Sequence, residues 1–235
     1  MSLGIIFFDL IGALIDPDAL ARRYPDALAR ALRAHFGGEL ARWREAVRGV
    51  LTDWDSYYAD LNLSGEDGIA DMWEGMLRVT RGYLRLAGMP EPDPPALAAL
   101  ARALPGEAAA ACAALLPGAL EALRLLKSAG IRRGVTTYLT ADHARGLLRG
   151  GGVLMLIDAP ILTPETVERF ERDQAYFEIA ARRAGVDPKS CLLISAELVS
   201  LAAARAAGMR TAQRAAGMTL LDALEQALMH HHSSP

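Results

Sequence analysis

The stretch Ile5-Ile6-Phe7-Phe8-Asp9-Leu10-Ile11-Gly12 constrains this chain more than any other. Residues 4–8 are a short, unbroken apolar run that meets an aspartate and then a glycine. An apolar run of this length, stopped by a charge and a turn residue, reads as a strand buried on both faces of a parallel sheet. Such a strand needs helices on either side of it, so the rest of the chain has to supply them.

It does so in two blocks. Residues 17–112 are rich in Ala, Leu, Arg and Glu at helical spacing and poor in β-branched residues, which predicts four or five helices. Gly37-Gly38, the Asn62–Gly68 stretch and Met89–Pro95 punctuate them. From residue 117 helices and strands alternate. A helix closes near Gly130, a strand covers 132–139, a helix follows 141, and a short strand covers 157–162. A helix around 174–186, a strand at 190–195, a helix at 198–208 and a last strand at 209–213 complete the series. Alternation of this kind gives a doubly wound, mostly parallel α/β sheet of Rossmann-like form. The expected organisation is a core of residues 1–16 and 113–235 and an inserted α-helical cap of residues 17–112. The insert then stands over the carboxyl ends of the strands, where open α/β sheets place their ligands.

Composition removes several classes. A net charge of −3 offers no electrostatic case for nucleic acid or an anionic membrane. No apolar stretch reaches the roughly 18–20 residues of a membrane span. The first apolar run is broken by Asp9 and lacks a basic lead, so it does not read as a signal peptide. Cys112 and Cys191 are far apart and outside any CxxC pattern. They read as reduced, buried thiols of a cytoplasmic protein. The high Ala, Arg and Gly content points to a GC-rich bacterial genome.

Residues 5–16, IIFFDLIGALID, resemble hhhhDxDGTLxD, the first motif of the haloacid dehalogenase (HAD) superfamily. Four further stretches resemble that family in the right order: LLPGALEALRLLKSAGIRRGVTT, IDAPILTPETV, AYFEIAARRAGVDPKSCLLI and LAAARAAGMRTA. The resemblance covers nearly the whole chain. It implies the fold already read from the alternation, with a helical cap inserted after the first motif. It also implies an aspartyl nucleophile acting on phosphate esters or haloacids, with Mg²⁺ in the phosphatases.

Position by position, the resemblance makes Asp9 the nucleophile and Thr137, next to Thr136, the strand-end hydroxyl that binds the transferred group. The general-acid aspartate of the phosphatases is replaced by Ile11, and the following Thr by Ala13. Ile11 can still offer a backbone carbonyl to a metal. The third-motif Lys falls at Glu171. A carboxylate there would repel Asp9 by about 4 kcal/mol at 4 Å and an effective dielectric near 20, so one of the two would tend to hold a proton. Arg172 or Arg169 is a candidate substitute cation; the alternative is a solvated Glu171–Arg172 pair on a loop. The two metal carboxylates of the fourth motif fall at Ser195 and Ser200, which leaves Glu197 as the acid nearby and Asp9 as the retained metal candidate. Ser195 matches the serine that the metal-free dehalogenases keep there; Glu197 and Ser200 do not match their Asn and Asp.

Trp54, Tyr57, Tyr58 and Trp73 in the cap read mostly as helix-packing core, with an aromatic lid selecting an apolar or ring-bearing substrate as the alternative. His35 and His143 have no partner at ligand spacing and are expected on helix surfaces. Phosphoryl transfer depends on cations that offset charge on the phosphoryl oxygens. The replacements therefore imply a HAD-like hydrolase with weak or no Mg²⁺-dependent phosphatase activity and a small-molecule ligand in the core–cap cleft. The other readings are a non-catalytic protein of the same fold binding a small molecule or a protein partner, and a metal-free hydrolase using Asp9 and Glu171 as an acid–base pair.

Overall fold

The computed structural model describes residues 3–170 and 172–232. Strand β1 (Ile5–Asp9) is buried at every position. It lies at the centre of a five-stranded sheet ordered β3-β2-β1-β4-β5, with β2 at Arg132–Thr136, β3 at Ile161–Leu162, β4 at Cys191–Ser195 and β5 at Arg210–Gln213. Every pairing in the sheet is parallel. The two-residue alternation of a strand sorts the side chains of β1. Ile6 and Phe8 enter a layer with Leu123, Leu126, Leu147 and Leu224. Ile5 and Phe7 enter the opposite layer with Tyr176, Phe177, Leu193 and Leu201. Asp9 shares the parity of Ile5 and Phe7, so its carboxyl emerges on the side of the second layer.

The helices follow local signals. Helix α1 (Pro17–Phe36) starts where the Asp16 carboxylate accepts from Asp18 N at 2.9 Å and Ala19 N at 3.2 Å, with Pro17 in the first turn. It ends at Gly37, whose φ of 71° is left-handed. Helices α2 (Leu40–Thr52), α3 (Gly68–Leu86) and α4 (Pro94–Ala110) complete the helical block. Its centre is Leu32, Trp43, Val47, Val79, Tyr83 and Leu97. The Trp43 indole N–H donates to Gly37 O at 2.8 Å, which satisfies its polar edge on burial.

The chain leaves the sheet layer after β1 and returns before α5 (Ala119–Ser128) along two adjacent crossings. Asp16 N donates to Ala114 O and Leu116 N to Leu14 O, both at 2.8 Å. A second seam joins α4 to α6 (Ala141–Gly150). A methyl group built on Gly146 would lie 2.3 Å from Gly106 O, and one on Gly106 would lie 2.6 Å from Asp142 O. The two backbones touch there, so only glycine fits at either position. Helices α7 (Pro164–Val167), α8 (Gln174–Ala184), α9 (Leu198–Ala206) and α10 (Leu220–His232) complete the described chain.

Two expected strands are shorter than the sequence suggests. The strand expected at 157–162 is reduced to Ile161–Leu162. Asp158 N and Ala159 N both turn onto Arg133 O, and Pro160 has no N–H to give, so the ladder cannot start earlier. Strand β2 ends at Thr136, because Tyr138 and Leu139 turn towards Thr140, whose hydroxyl caps α6 through His143 N at 3.4 Å. Cys112 and Cys191 are free and buried, as expected. Among the described residues no helix is long and apolar enough to cross a membrane.

Candidate active site

Asp9 ends β1 and is 1% exposed. The next residues wind into a turn over Leu10–Leu14, with Gly12 at φ 86°. A methyl group on Gly12 would lie 3.1 Å from Ala196 Cβ, so both the space and the left-handed backbone call for glycine. The side chain of Arg214 donates to the Gly12 carbonyl and, at 2.8 Å, to Met218 O. It ties the turn after Asp9 to the far side of the sheet.

The guanidinium of Arg172 lies on the Asp9 carboxylate. One Nη donates to both oxygens, at 3.0 and 3.1 Å, and the other donates to Thr136 Oγ1 at 3.1 Å. Arg172 immediately precedes Asp173, which caps α8 by accepting from Tyr176 N at 3.0 Å. It is seated above the first turn of that helix, with its guanidinium carbon 5.8 Å from the Tyr176 ring centre and 5.7 Å from that of Phe177. Tyr176 is itself held by its hydroxyl, which donates to Leu162 O at 2.8 Å. The guanidinium is thus placed by a cap and two aromatic rings. Its Nε is buried without a partner.

The fourth-motif positions supply the other contacts. Ser195 Oγ donates to Asp9 Oδ2 at 2.8 Å and accepts from Glu197 N at 3.0 Å. Ser200 Oγ donates to Glu197 Oε2 at 3.0 Å, and that carboxylate stands 3.7 Å from Arg172. Burial pushes the Asp9 carboxyl above the usual carboxylate range, against the pull of Arg172 and Ser195. Burial is the largest influence on Arg172 and opposes its charge, but Asp9, Tyr176 and Glu197 together outweigh it and the guanidinium is raised.

Asp9, Arg172, Ser195, Glu197 and Ser200 therefore form one connected cluster. Thr137 does not join it directly. Its hydroxyl accepts from Leu139 N at 3.1 Å, while Thr136, the register partner of Asp9, shares the cluster through Arg172. Neighbouring strand residues point to opposite faces, so only one of the two threonines can face Asp9. Ile11 and Ala13 lie in the turn, Ala13 fully buried. Glu171 lies outside the described residues. Arg169 makes its ion pair with Asp173, at 2.5 Å, rather than with Asp9.

One residue expected on a surface is in fact at an internal wall. The Nε2 atom of His143 is buried and, among the described residues, has no hydrogen-bond partner. Its ring stacks on Tyr24 at 5.2 Å and lines a cavity of about 550 Å³ between the helical block and the residues after β2. Trp54 and Tyr58 line the same cavity. Sequence spacing does not point to His143, since its neighbours in the wall come from α1, α3 and α4. His35 is exposed and pairs with Glu107 at 2.7 Å. Trp73 sits under Arg102, 4.1 Å from its guanidinium carbon.

A model of the haloacid dehalogenase-like hydrolases matches residues 3–208. No curated protein matches the chain by sequence. Among solved structures, the magnesium-bound HAD-hydrolase YfnB from Bacillus subtilis superposes with a TM-score of 0.61 at 18% identity, covering 98% of this chain and 99% of that one. A HAD phosphatase from Thermococcus onnurineus gives 0.56 at 17% identity over 96% and 97%. The L-2-haloacid dehalogenase from Xanthobacter autotrophicus, with chloropropionic acid covalently bound, gives 0.52 at 18% identity over 100% and 85%. At these identities the solved structures speak for the fold alone, and the family model spans most of the sequence. The chain belongs to the haloacid dehalogenase-like hydrolases.

Proposed function

We propose that this protein is a HAD-like hydrolase with weak or no Mg²⁺-dependent phosphatase activity, in which residual chemistry at Asp9 is metal-free. The observation that carries this is the Arg172 guanidinium on both oxygens of Asp9. A cation built into the protein occupies the face of the carboxylate that a metal ion would need. The remaining donors do not make up a magnesium set. Ser195 and Ser200 are neutral, Glu197 is engaged by Ser200 and Arg172, and no group of three His, Cys, Asp or Glu side chains with metal-holding geometry occurs among the described residues.

Charge balance separates the two family chemistries. A phosphate monoester brings about two negative charges to a carboxylate that already carries one, and a single guanidinium cannot offset all three. A 2-haloacid brings one negative charge instead, that of its own carboxylate. Attack of an Asp9 oxygen on the carbon that bears the halogen breaks the carbon–halogen bond, releases halide and leaves an uncharged ester linkage that water then hydrolyses; Arg172 and Ser195 hold the Asp9 carboxylate for that attack. Ile11 has no proton to give to an alkoxide leaving group, whereas halide needs none.

The test is release of phosphate from an aryl phosphate with and without Mg²⁺, and of chloride from 2-chloropropionate without metal, beside an Asp9→Asn control. The expected result is no magnesium-dependent phosphatase above the control. Phosphate turnover that needs both Mg²⁺ and Asp9 would overturn the proposal. A second reading, a non-catalytic binding protein, is favoured by the 1% exposure of Asp9 and the engagement of both its oxygens. Chloride release at the rate of the control would select it.

A further inference from the structure

We infer that the cavity between the helical block and the residues after β2 binds an uncharged molecule with an apolar body and at least two hydrogen-bonding groups, met by the hydroxyls of Tyr24, Tyr58 and Tyr83. The inference rests on the reading that the core–cap cleft takes a small molecule, and it adds the class of that molecule.

The walls suit an apolar, uncharged body. The cavity of about 550 Å³ falls within the usual range of ligand sites, roughly 300–1,000 Å³. Leu28, Met72, Met76, Val79 and Leu104 form its aliphatic side, and Trp54 and Tyr58 add a stacked aromatic pair with ring centres 5.4 Å apart. Methionines give such a wall shape tolerance. The lining has no lysine or arginine, and its carboxylate, Asp55, is exposed. Negative charge also reaches the wall from the neighbouring site. Burial raises the Tyr138 phenol, and Glu197 and Asp9 raise it further against the pull of Arg172. An anion would meet repulsion here, and a cation held inside would lose its water with no buried carboxylate of the lining to replace it.

Three phenols supply the polar contacts. The threonine hydroxyls of the lining are already used: Thr80 donates to Met76 O at 2.9 Å and Thr140 accepts from His143 N. The hydroxyls of Tyr24, Tyr58 and Tyr83 have no hydrogen-bond partner among the described residues. Tyr83 is buried among the helices, and Tyr24 and Tyr58 stand close enough to add to the rise that burial gives its phenol, so the three belong to one region of the wall. Burial also raises Tyr24 and pushes Tyr58 up to about 12. At neutral pH each is therefore an uncharged O–H that can donate one hydrogen bond and accept another. The rings of two are fixed before any guest arrives. Tyr24 stacks on His143 at 5.2 Å, and Tyr58 is held by Trp54 and by the backbone of α3, where a methyl group on Gly75 would lie 2.0 Å from its ring. Groups placed in advance cost a ligand little ordering. His143 Nε2 is enclosed, so this imidazole supports Tyr24 and is not itself the contact. A guest that displaces water from three phenols and offers them no partner forfeits their hydrogen bonds, so affinity rises with the number of such groups it presents.

The probes for the test are naphthalene, 2-naphthol and naphthalene-2,7-diol, one apolar body with no, one and two hydroxyls. Each is titrated into the full chain by fluorescence, with 2-naphthoate and 2-naphthylmethylammonium as charged counterparts. The expected result is saturable one-to-one binding that tightens about threefold to tenfold with each hydroxyl, the worth of one hydrogen bond. Both charged probes should bind at least about tenfold more weakly than 2-naphthol. Tyr58→Phe and Tyr83→Phe keep the rings and remove only the hydroxyls. Each should weaken the diol about threefold to tenfold and leave naphthalene unchanged. Met76→Trp, which fills the space, should abolish binding of all three. Nuclear Overhauser contacts between the naphthyl protons and the Tyr83 ring in the unaltered protein give a readout that needs no variant. Absence of saturable binding, a diol no tighter than naphthalene, a charged probe as tight as 2-naphthol, or diol binding insensitive to both phenylalanine variants would overturn the inference. Binding is read without turnover, so it stands or falls apart from the release of phosphate or chloride that tests the catalytic proposal.

Discussion

Two neighbouring sites at the carboxyl end of the sheet have opposite characters. Around Asp9 the described charges are paired with one another, although Arg172 Nε lacks a hydrogen-bond partner among the described residues: Arg172 and Ser195 hold the carboxylate, and Thr136 and Glu197 hold the arginine. In the cavity beside it the walls are largely apolar and the volume is open. The difference shows where each site gets its specificity. The first is complementary to itself and resists a highly charged guest. The second has no lysine or arginine in its lining and offers apolar surface instead.

The comparison breaks most visibly if Arg172 is removed. Arg172→Met leaves a carboxylate 1% exposed without its cation, which should cost about 3–5 kcal/mol in urea unfolding. The double variant Asp9→Asn with Arg172→Met should recover much of that loss. A double variant no better than the single one would show that Arg172 stabilises by packing on Tyr176 and Phe177 instead. The cavity is probed next, by acid. His143 titrates at about 4 when folded and near 6.5 when unfolded, so the unfolded chain takes up the proton first as pH falls. Stability should therefore fall between pH 6.5 and 4, by up to about 3 kcal/mol, and this component should level off below pH 4. His143→Leu should flatten that part of the profile; an unchanged slope would mean that the ring is solvated. Ser195→Ala removes one hydrogen bond to a buried carboxylate and should cost about 2 kcal/mol by the same unfolding measurement. Gly12→Ala forces a left-handed φ on alanine against Ala196 and should cost about 1 kcal/mol or somewhat more. A neutral result there would show that the turn after Asp9 can shift.

The sheet was legible because its signals are local. The apolar run of β1, the stop at Asp9 and the alternation beyond residue 117 each follow from a few consecutive residues. Asp16 as the start of α1 is equally local. The resemblance named Asp9 and Ser195 and left the substitute cation open between Arg172 and Arg169; of these two the structure brings Arg172 onto Asp9. The choice between Thr136 and Thr137 could not, since it depends on sheet register with β1. Trp54 and Tyr58 were open to a reading as lid or as packing core, and His143 was beyond spacing altogether. Tyr24, Tyr58, Met76 and His143 come from four separate segments, and only the packing of the helical block over the loop after β2 brings them together.

The contact of Gly106 with Gly146 bears on how the molecule can admit anything at all. Two helices whose backbones touch have no side chains to slide past one another, so that edge of the helical block acts as a hinge pin rather than a sliding joint. Along the edge that carries Trp54 and Leu51 the close contact is of another kind, ring against backbone: a methyl group built on Gly75 would lie 2.0 Å from the Tyr58 ring. The contact of the two glycines therefore fixes the distance between the helical block and α6, and with it the place of the wall that carries His143.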